Sequence, residues 1–334
     1  MSVETEPEIA PEIPPAPGHS IGIGAVLAAA VLIGGIAILV LLGGLGHEAP
    51  TSGERVEVAL PPVQQLPSLA PPPGLVENSP DGPLPTIGMG GRQAWQVYAR
   101  PFNLADKRPR VALVIGGLGL DKDLTVAAID RLPGPVTLAF SPYARDLQQW
   151  IDRARRAGHE VLIGLPLEPT DYPRRDPGPD TLLTSLDATQ NLKRLRWVMS
   201  RATGYVGLLG IMGDRFITVR ESFEPVLAEL KMRGVMFVDG SPATDSSTGK
   251  LAAELVMAWA VSDRVIDGEA PALTIDNSLA DLEKIAARGG AALGVGMPYP
   301  LIYERLLAWV PTLAAKSIVL APSSAVATRQ IESP

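Results

Sequence analysis

From Arg110 onward, short apolar runs alternate with stretches whose apolar residues recur at helical spacing. Several of these runs are rich in β-branched residues and lack strict alternation, which is typical of strands buried on both faces. The eight runs cover residues 111–115, 136–140, 161–165, 205–209, 235–239, 263–266, 291–295 and 317–321. They predict parallel strands that are joined by helices through right-handed crossovers.

The stretches between the runs carry recognisable helix boundaries. Asp187 to Gln190 resembles a capping box. Glycines follow three apolar helical stripes as C-terminal caps, at Gly158, Gly204 and Gly234. Seven or eight strand–helix repeats favour closure over an open sheet. The sequence therefore predicts an α/β fold, a (β/α) barrel of seven to eight strands, regular or distorted, over residues 109–325.

The N-terminal part of the chain has the pattern of a membrane anchor. Residues 21–46 are uncharged and exceed the ~20 apolar residues that span a hydrocarbon core, so they predict one transmembrane helix. A cleaved signal peptide is the alternative, but it needs a basic leader and a shorter apolar core. The leader, residues 1–20, is acidic and is expected to be disordered. The flanks lack a Lys/Arg cluster that would fix the orientation.

Between the anchor and the barrel, the composition shifts to proline, glycine and small polar residues. Residues 47–108 are therefore expected to be a semi-rigid, extended linker. The aromatic tract 92–102 is either a segment that docks on the domain or an ordered edge of the fold. Residues 326–334 are expected to be a disordered tail.

Composition narrows the classes of function. The net charge of −7 over 334 residues argues against a nucleic-acid partner. The chain has no Cys, which excludes thiolate zinc sites and cysteine nucleophiles. The glycine loop IGGLGLDK has Lys122 where a dinucleotide fingerprint needs its third glycine, so no nucleotide is expected. We expect no cofactor.

In a barrel of this kind, active sites lie at the C-terminal ends of the strands. The loops there read IGGLG, GLPLEP, GIMGDRF, FVDGSPA and VGMPYP. The three histidines lie elsewhere: His19 and His47 flank the predicted membrane helix, and His159 precedes the third strand. Imidazole is therefore not expected as a base, acid or ligand at this face.

These loops, in this order, resemble those of the divergent polysaccharide deacetylase family of bacterial envelopes, over roughly residues 108–325. Family members typically read I-D-D-L-G, H-L-P-M-E-P, H-M-G-S-R and G-H-P-Y-P at these places. The resemblance implies a barrel and an envelope setting. It also implies a metal-assisted hydrolase, in which a divalent ion lowers the pKa of its bound water.

This chain departs from the family pattern at the metal-ligand and acid/base positions. Glycine or an apolar side chain stands at all five, which are Gly116, Gly117, Gly164, Ile211 and Met297. Glycine and isoleucine offer no ligand atom, and a thioether is a poor partner for zinc. The sequence therefore predicts no metal and no hydrolysis at this face.

Five polar residues remain as candidates for a binding cleft: Glu168, Asp214, Arg215, Asp239 and Tyr299. In the functional interpretation they contact a glycan or a protein partner. In the structural interpretation, Arg215 pairs with Asp214 or Asp239, and Glu168 caps a helix. A third interpretation gathers Glu168, Asp214, Asp239 and Asp267 around Ca²⁺ or Mg²⁺.

Two functions follow. One is a membrane-anchored deacetylase-like protein that is associated with carbohydrate metabolism and binds glycan or an envelope partner without hydrolysis. The other is an active carbohydrate deacetylase with an unorthodox site. By resemblance, the protein is expected in the inner membrane as a single-pass protein with its barrel in the periplasm.

Overall fold

The computed structural model describes residues 72–241, 246–266 and 268–327. Its strands are β1 (Val76–Ser79), β2 (Gly82–Pro85), β3 (Arg110–Leu118), β4 (Thr137–Phe140), β5 (Val161–Leu167), β6 (Gly207–Met212), β7 (Met236–Asp239), β8 (Trp259–Val261), β9 (Arg264–Ile266), β10 (Ala291–Gly296) and β11 (Val319–Ala321). Its α-helices are α1 (Ala94–Val97), α2 (Lys122–Arg131), α3 (Leu147–Arg156), α4 (Ala188–Ser200), α5 (Arg220–Met232), α6 (Thr248–Leu255), α7 (Ala272–Gly289) and α8 (Pro300–Trp309).

Eight parallel strands form a curled half-barrel in the order β8-β7-β6-β5-β4-β3-β10-β9. A ninth strand, β11, pairs in parallel with the beginning of β3. Every apolar run predicted as a strand overlaps one, and the predicted capping box of Asp187 and Gln190 is formed. The parallel α/β architecture is therefore confirmed.

The strands separate two apolar layers because their side chains alternate between the faces. Along β3, Val111, Leu113 and Ile115 join the outer core, which packs under the helices. Ala112 and Val114 join an inner core within the curl of the sheet. All five are fully buried. Burial on both faces explains why the runs read as continuously apolar.

The sheet differs from a regular closed barrel at β8 and β9, which are its two ends. Only Ser262 and Asp263 separate these strands in sequence. The Ser262 amide donates to Asp239 O on one side, at 2.8 Å, and the Asp263 amide donates to Leu293 O on the other, at 2.8 Å. One bent segment therefore divides its hydrogen bonds between the two edges of the sheet. Its first half, Trp259–Val261, is a strand that no apolar run predicted from the sequence.

The expected linker, residues 47–108, is partly folded. β1 and β2 form an antiparallel hairpin, and Leu75, Leu84, Ala94 and Tyr98 are buried. The average composition of the segment hid these few apolar side chains among prolines and glycines. Within residues 92–102, Ala94 and Tyr98 join the inner core.

The predicted transmembrane helix at 21–46 lies outside the described residues, as do the acidic leader 1–20 and the end of the tail. Among the residues that are described, no helix combines the length and the apolar character needed to cross a bilayer.

Candidate functional site

The mouth of the half-barrel, at the C-terminal ends of the strands, brings together the five positions that the family gives to its metal chemistry. A Cβ atom added to Gly116 would lie 3.6 Å from Met297 Sδ, and one added to Gly117 would lie 2.6 Å from Met297 Cε. A Cβ atom on Gly164 would lie 3.2 Å from Ile211 Cγ1. Met297 therefore lies beside the first two glycines, and Ile211 lies beside the third.

Apolar side chains occupy the space beside these glycines. Leu209, on β6, lies 3.2 Å from a Cβ position on Gly116, and it also approaches Gly240. Met297 covers Gly117, and Ile211 packs against Gly164. Leu209 is fully buried, while the Met297 side chain is 40% exposed. We call Leu209, Ile211 and Met297 the apolar floor of the mouth.

The residues at the mouth do not fit the divalent ion of the family. The apolar floor offers only one thioether. It has no imidazole and no carboxylate, which are groups that zinc prefers as ligands. Across the described ranges, no group of three or more His, Asp or Glu side chains is placed to hold a metal. Chemistry that passes through a bound metal therefore has no basis in these side chains.

Glu168 and Arg215 form an ion pair at the rim of the mouth. Arg215 Nε lies 3.1 Å from Glu168 Oε1 and donates to Thr184 Oγ1 at 3.2 Å. The second carboxylate oxygen of Glu168 accepts from the Thr184 amide. The Arg215 side chain is 52% exposed, whereas that of Glu168 is 10% exposed. The pair thus joins two loops and leaves the guanidinium accessible.

This pairing corrects the structural interpretation given from sequence. The partner of Arg215 is Glu168 and neither Asp214 nor Asp239. Glu168 also accepts the amides of Arg215 and Phe216 on its backbone oxygen, at 3.3 and 3.1 Å. Glu168 therefore fixes the loop after β6 and does not cap a helix.

Asp214 belongs to a separate rim contact. Its Oδ2 accepts from Thr170 Oγ1 at 2.6 Å and lies 3.7 Å from the guanidinium of Arg175. The carboxylate therefore links the loops after β5 and β6, next to the Glu168–Arg215 pair.

Asp239 is buried at the end of β7 and does not face an open cleft. Its side chain is almost fully buried and accepts from the Ser241 amide and from the hydroxyls of Ser246 and Thr248, at 2.6 to 2.9 Å. Burial raises the pKa of this carboxyl above its ordinary value, and the three hydrogen bonds only partly oppose that shift. This environment is that of a residue that anchors a loop.

Tyr299 lies on the other side of the mouth. Its hydroxyl donates to Glu269 Oε1 at 3.1 Å, and its ring lies directly against Gly268, where a Cβ atom would come within 2.1 Å. Asp267, the fourth member of the predicted cation site, lies outside the described residues. The other three acids each have separate partners, so they do not form the expected cation site.

The glycine loop after β3 serves packing. Gly117 and Gly119 have positive φ angles of 69° and 89°, and a Cβ atom on Gly119 would lie 2.5 Å from Ala144 Cβ. Asp121 caps α2 by accepting the Leu124 amide at 2.9 Å. Its carboxylate stands at the helix end that would otherwise attract a phosphate.

Sequence reasoning missed the residues that complete the mouth. Thr170, Arg175, Thr184 and Glu269 contact the candidate residues, and Leu209 fills the centre. The polar residues lie in irregular loops, where no periodicity marks them. Leu209 belongs to a predicted strand, but only the strand packing reveals which side chain reaches the glycines.

The mouth therefore consists of an apolar floor and a rim of ion pairs. Among the described residues of the mouth, Glu168, Asp214 and Asp239 have separate partners and form no acid–base pair aimed at a shared point. Such an arrangement can bind a ligand group.

The model of the divergent polysaccharide deacetylase family matches residues 113–327. The chain is 37% identical to an uncharacterized protein from Agrobacterium tumefaciens C58, whose crystal structure matches with a TM-score of 0.71 over 73% of this chain and 99% of that one. It is also 24% identical to an uncharacterized protein of Haemophilus influenzae over 200 residues, which are 57% of this chain and 67% of that protein. Because the family model spans well over half of the chain, the protein belongs to the divergent polysaccharide deacetylase family.

Proposed function

We propose that this protein is a non-hydrolytic member of its family that binds an envelope component at the mouth of the half-barrel. The observation that carries the proposal is the apolar floor. Leu209, Ile211 and Met297 fill the space next to the glycines at the positions where the family places its ligands. An ion and its activated water would have no ligand atoms there, so hydrolysis of an acetyl group has no catalyst.

The location in the cell is part of this proposal. The uncharged run at 21–46 is long enough to anchor the chain in the inner membrane. The family resemblance supports a periplasmic half-barrel. A reporter that is active only in the periplasm, fused after Pro334, should be active. Activity of a cytoplasm-specific reporter at the same position would reverse this assignment.

The test of the missing chemistry is a metal and activity measurement on the full-length chain in detergent. We expect substoichiometric zinc after purification without chelators, and no acetate release from acetylated chitin oligomers. A zinc-dependent family member that retains its histidines should serve as the positive control. Stoichiometric zinc together with acetate release would instead establish the alternative, an active deacetylase with an unorthodox site.

The floor also favours a particular kind of ligand group. A sugar has hydroxyls around its ring, and burying them against Ile211 and Met297, the two members of the floor that are not fully buried, would cost hydrogen bonds that the floor cannot replace. A leucine- or methionine-like side chain has no hydrogen bonds to lose on the floor, and the flexible Met297 side chain can adapt its shape to such a group. We therefore assign an apolar side chain of an envelope protein to the floor, with Arg215 contacting polar groups beside it.

Methionine methyl signals can test this choice. In protein labelled at the methionine methyl carbon, a leucine-containing tripeptide should shift the Met297 signal, which Met297→Leu identifies by its loss. Chitobiose should not shift it, and the signal of Met199, which is fully buried, should stay in place with either probe. A shift with chitobiose alone would assign a glycan, and no shift with either probe would refute binding at the mouth.

Arg215→Ala tests the rim. Because the guanidinium is half exposed, its loss should lower the free energy of unfolding by about 1 kcal/mol or less, while the tripeptide should bind more weakly. Chemical unfolding and the same methyl titration measure the two effects. A large loss of stability with unchanged binding would mean that the residue only holds the loops together.

A further inference from the structure

A second recess lies at the opposite end of the half-barrel, near the N-terminal ends of β7 and β8. It is a groove of about 520 Å³ between the segment around α1 and the ends of α5 and α6. Its lining includes Ile87, Trp95, Ala253 and Val256, and Lys231 is the one charged residue among those that line it. We call it the basal groove.

The basal groove leaves large apolar side chains in solvent. Val256 is 82% exposed and Ile87 is 40% exposed, and both line the groove. Met89 and Met232, which are close to lining residues in sequence, are 81% and 64% exposed. Val256 has a φ angle of 54°, a conformation that is unusual for a β-branched residue. Apolar exposure of this extent marks a surface that another group covers.

The wall around Trp95 is preformed. The indole Nε1 donates to Gln93 Oε1 at 2.8 Å, which holds the ring in place. Gln93 in turn packs on Gly234, where a Cβ atom would lie within 2.9 Å of Gln93 Cβ. A fixed aromatic ring in an apolar groove suits an extended, proline-rich segment, because such a segment loses little conformational freedom on binding.

The described chain begins beside this groove. Arg92 Nη2 donates to Pro73 O at 3.4 Å. A Cβ atom on Gly74 would lie 3.9 Å from Gly88 Cα and 4.0 Å from Met89 N. Pro73 and Gly74 therefore lie next to the residues that flank Ile87 and Gln93, both of which line the groove. The described residues therefore begin at the rim of the groove.

We propose that residues 60–71 of the same chain occupy the basal groove. Their sequence, LPPVQQLPSLAP, has no charged residue and combines prolines with Leu60, Val63, Leu66 and Leu69. The segment is joined directly to Pro72, so its local concentration at the groove is high and a weak apolar fit suffices. At about 3.1 Å per residue in an extended proline-rich form, it reaches about 37 Å, more than enough to cross the groove.

Occupancy would also shorten the free tether. If residues 60–71 bind the groove, residues 47–59 are the remaining spacer from the predicted membrane helix.

Disulfide formation tests the proposal, because the chain has no native Cys. Ala253→Cys places an exposed thiol in the groove, and it is combined in turn with Leu60→Cys, Val63→Cys, Leu66→Cys and Leu69→Cys in the full chain in detergent. Ala287→Cys, on the exposed face of α7, replaces Ala253→Cys in the control pairs. We expect at least one Ala253 pair to form an intrachain disulfide about tenfold faster than any control pair.

Other occupants give different products. Disulfide-linked dimers as the main product would assign the groove to a second copy of the chain and overturn the proposal. Equal rates of disulfide formation for the Ala253 and Ala287 pairs would also overturn the proposal. The groove would then be assigned to a lipid or a separate protein.

A second variant needs no introduced thiol. Ala253→Arg fills the groove from an exposed helix position, and Ala287→Arg is its matched control. In hydrogen exchange of the full chain, amides of residues 63–70 should exchange faster in Ala253→Arg than in wild type, and at the wild-type rate in Ala287→Arg. Identical exchange in all three proteins would contradict docking of the segment.

Discussion

Asp239 shows, at the scale of a residue, why a carboxylate near a family motif need not be a ligand. It is almost fully buried, and its oxygens accept hydrogen bonds from two hydroxyls and one amide. Hydrogen-bonded carboxylates in such surroundings hold a loop in place. Glu168 has a similar role at the rim, because it binds the loop after β6 through both its side chain and its backbone.

The raised pKa of Asp239 gives a pH prediction. Burial favours the protonated form of Asp239 in the folded state. The stability that this preference contributes is therefore fully present below the ordinary Asp pKa of about 3.9. It is lost as the pH rises through the higher folded pKa. Asp239→Asn, which stays neutral, should therefore gain stability relative to wild type as the pH rises from about 4, until the difference levels off. Urea unfolding of both proteins at several pH values measures this, and parallel curves would contradict it.

At the same scale, part of the site could be predicted and part could not. The motif order predicted that Gly116, Gly164 and Met297 share one face, because the C-terminal ends of parallel strands meet at one edge, and the structure places Met297 beside Gly116. The predicted partner of Arg215 was wrong. Asp214 and Asp239 are both closer to Arg215 in sequence than Glu168 is, yet Glu168 forms the ion pair. Side-chain direction at the end of a strand decides such pairs, and a sequence does not give it.

Among the elements, α5 combines a predictable apolar face with an unpredicted polar one. Phe223 and Leu227 are fully buried, as their helical spacing indicates. On the same helix, Glu229 is 3% exposed and pairs with Arg196 at 2.9 Å and with Arg233 at 2.6 Å. Burial alone would raise the pKa of Glu229, but hydrogen bonds from both guanidinium groups outweigh it and lower the pKa.

Removing Glu229 should therefore destabilise the domain. Glu229→Ala would leave Arg233, 15% exposed, and Arg196, 44% exposed, without their shared buried partner, and we expect a loss of about 2 kcal/mol in the free energy of unfolding. Glu224→Ala breaks an exposed pair, because the side chains of Glu224 and Arg220 are 43% and 46% exposed, and it should cost much less. Unfolding in guanidinium chloride compares the two variants. Equal losses of unfolding free energy would refute the special role of Glu229.

The elements that the sequence missed share a physical cause. Trp259–Val261 is a three-residue strand whose hydrogen bonds go to β7, while the next three-residue strand pairs with β10. Neither strand is long enough to show a periodic pattern of apolar residues. The hairpin of β1 and β2 is stabilised by contacts with distant parts of the chain, such as the ion pair of Glu77 with Arg233 at 2.9 Å. Local composition cannot report such contacts.

For the whole molecule, Glu160 links chain segments that are far apart in sequence. It is 1% exposed. Its Oε1 accepts from Ser323 Oγ at 2.7 Å and from the Ser324 amide at 2.9 Å, and its Oε2 accepts from the Arg100 amide at 3.1 Å. The segment that leads into the domain, the start of β5 and the C-terminal segment therefore share one carboxylate.

We expect Glu160→Ala to cost about 3 kcal/mol, because several buried donors would lose their acceptor together. Amide exchange around Ser323 and Ser324 should accelerate more than exchange in α5. Glu254→Ala, at a position 43% exposed, is the control and should change neither quantity measurably. If exchange near Ser323 stays at the wild-type rate, Glu160 does not hold the two ends together.

The way Met297 and Ile211 fill the mouth also bears on how this family can change. A side chain introduced at Gly117 would place its Cβ atom 2.6 Å from the Met297 methyl, and one introduced at Gly164 would place its Cβ atom 3.2 Å from Ile211 Cγ1. A ligand at either glycine therefore requires its apolar neighbour to shift. Because each position supplies at most one ligand, an ion site at this mouth would need replacements at several of the five positions together.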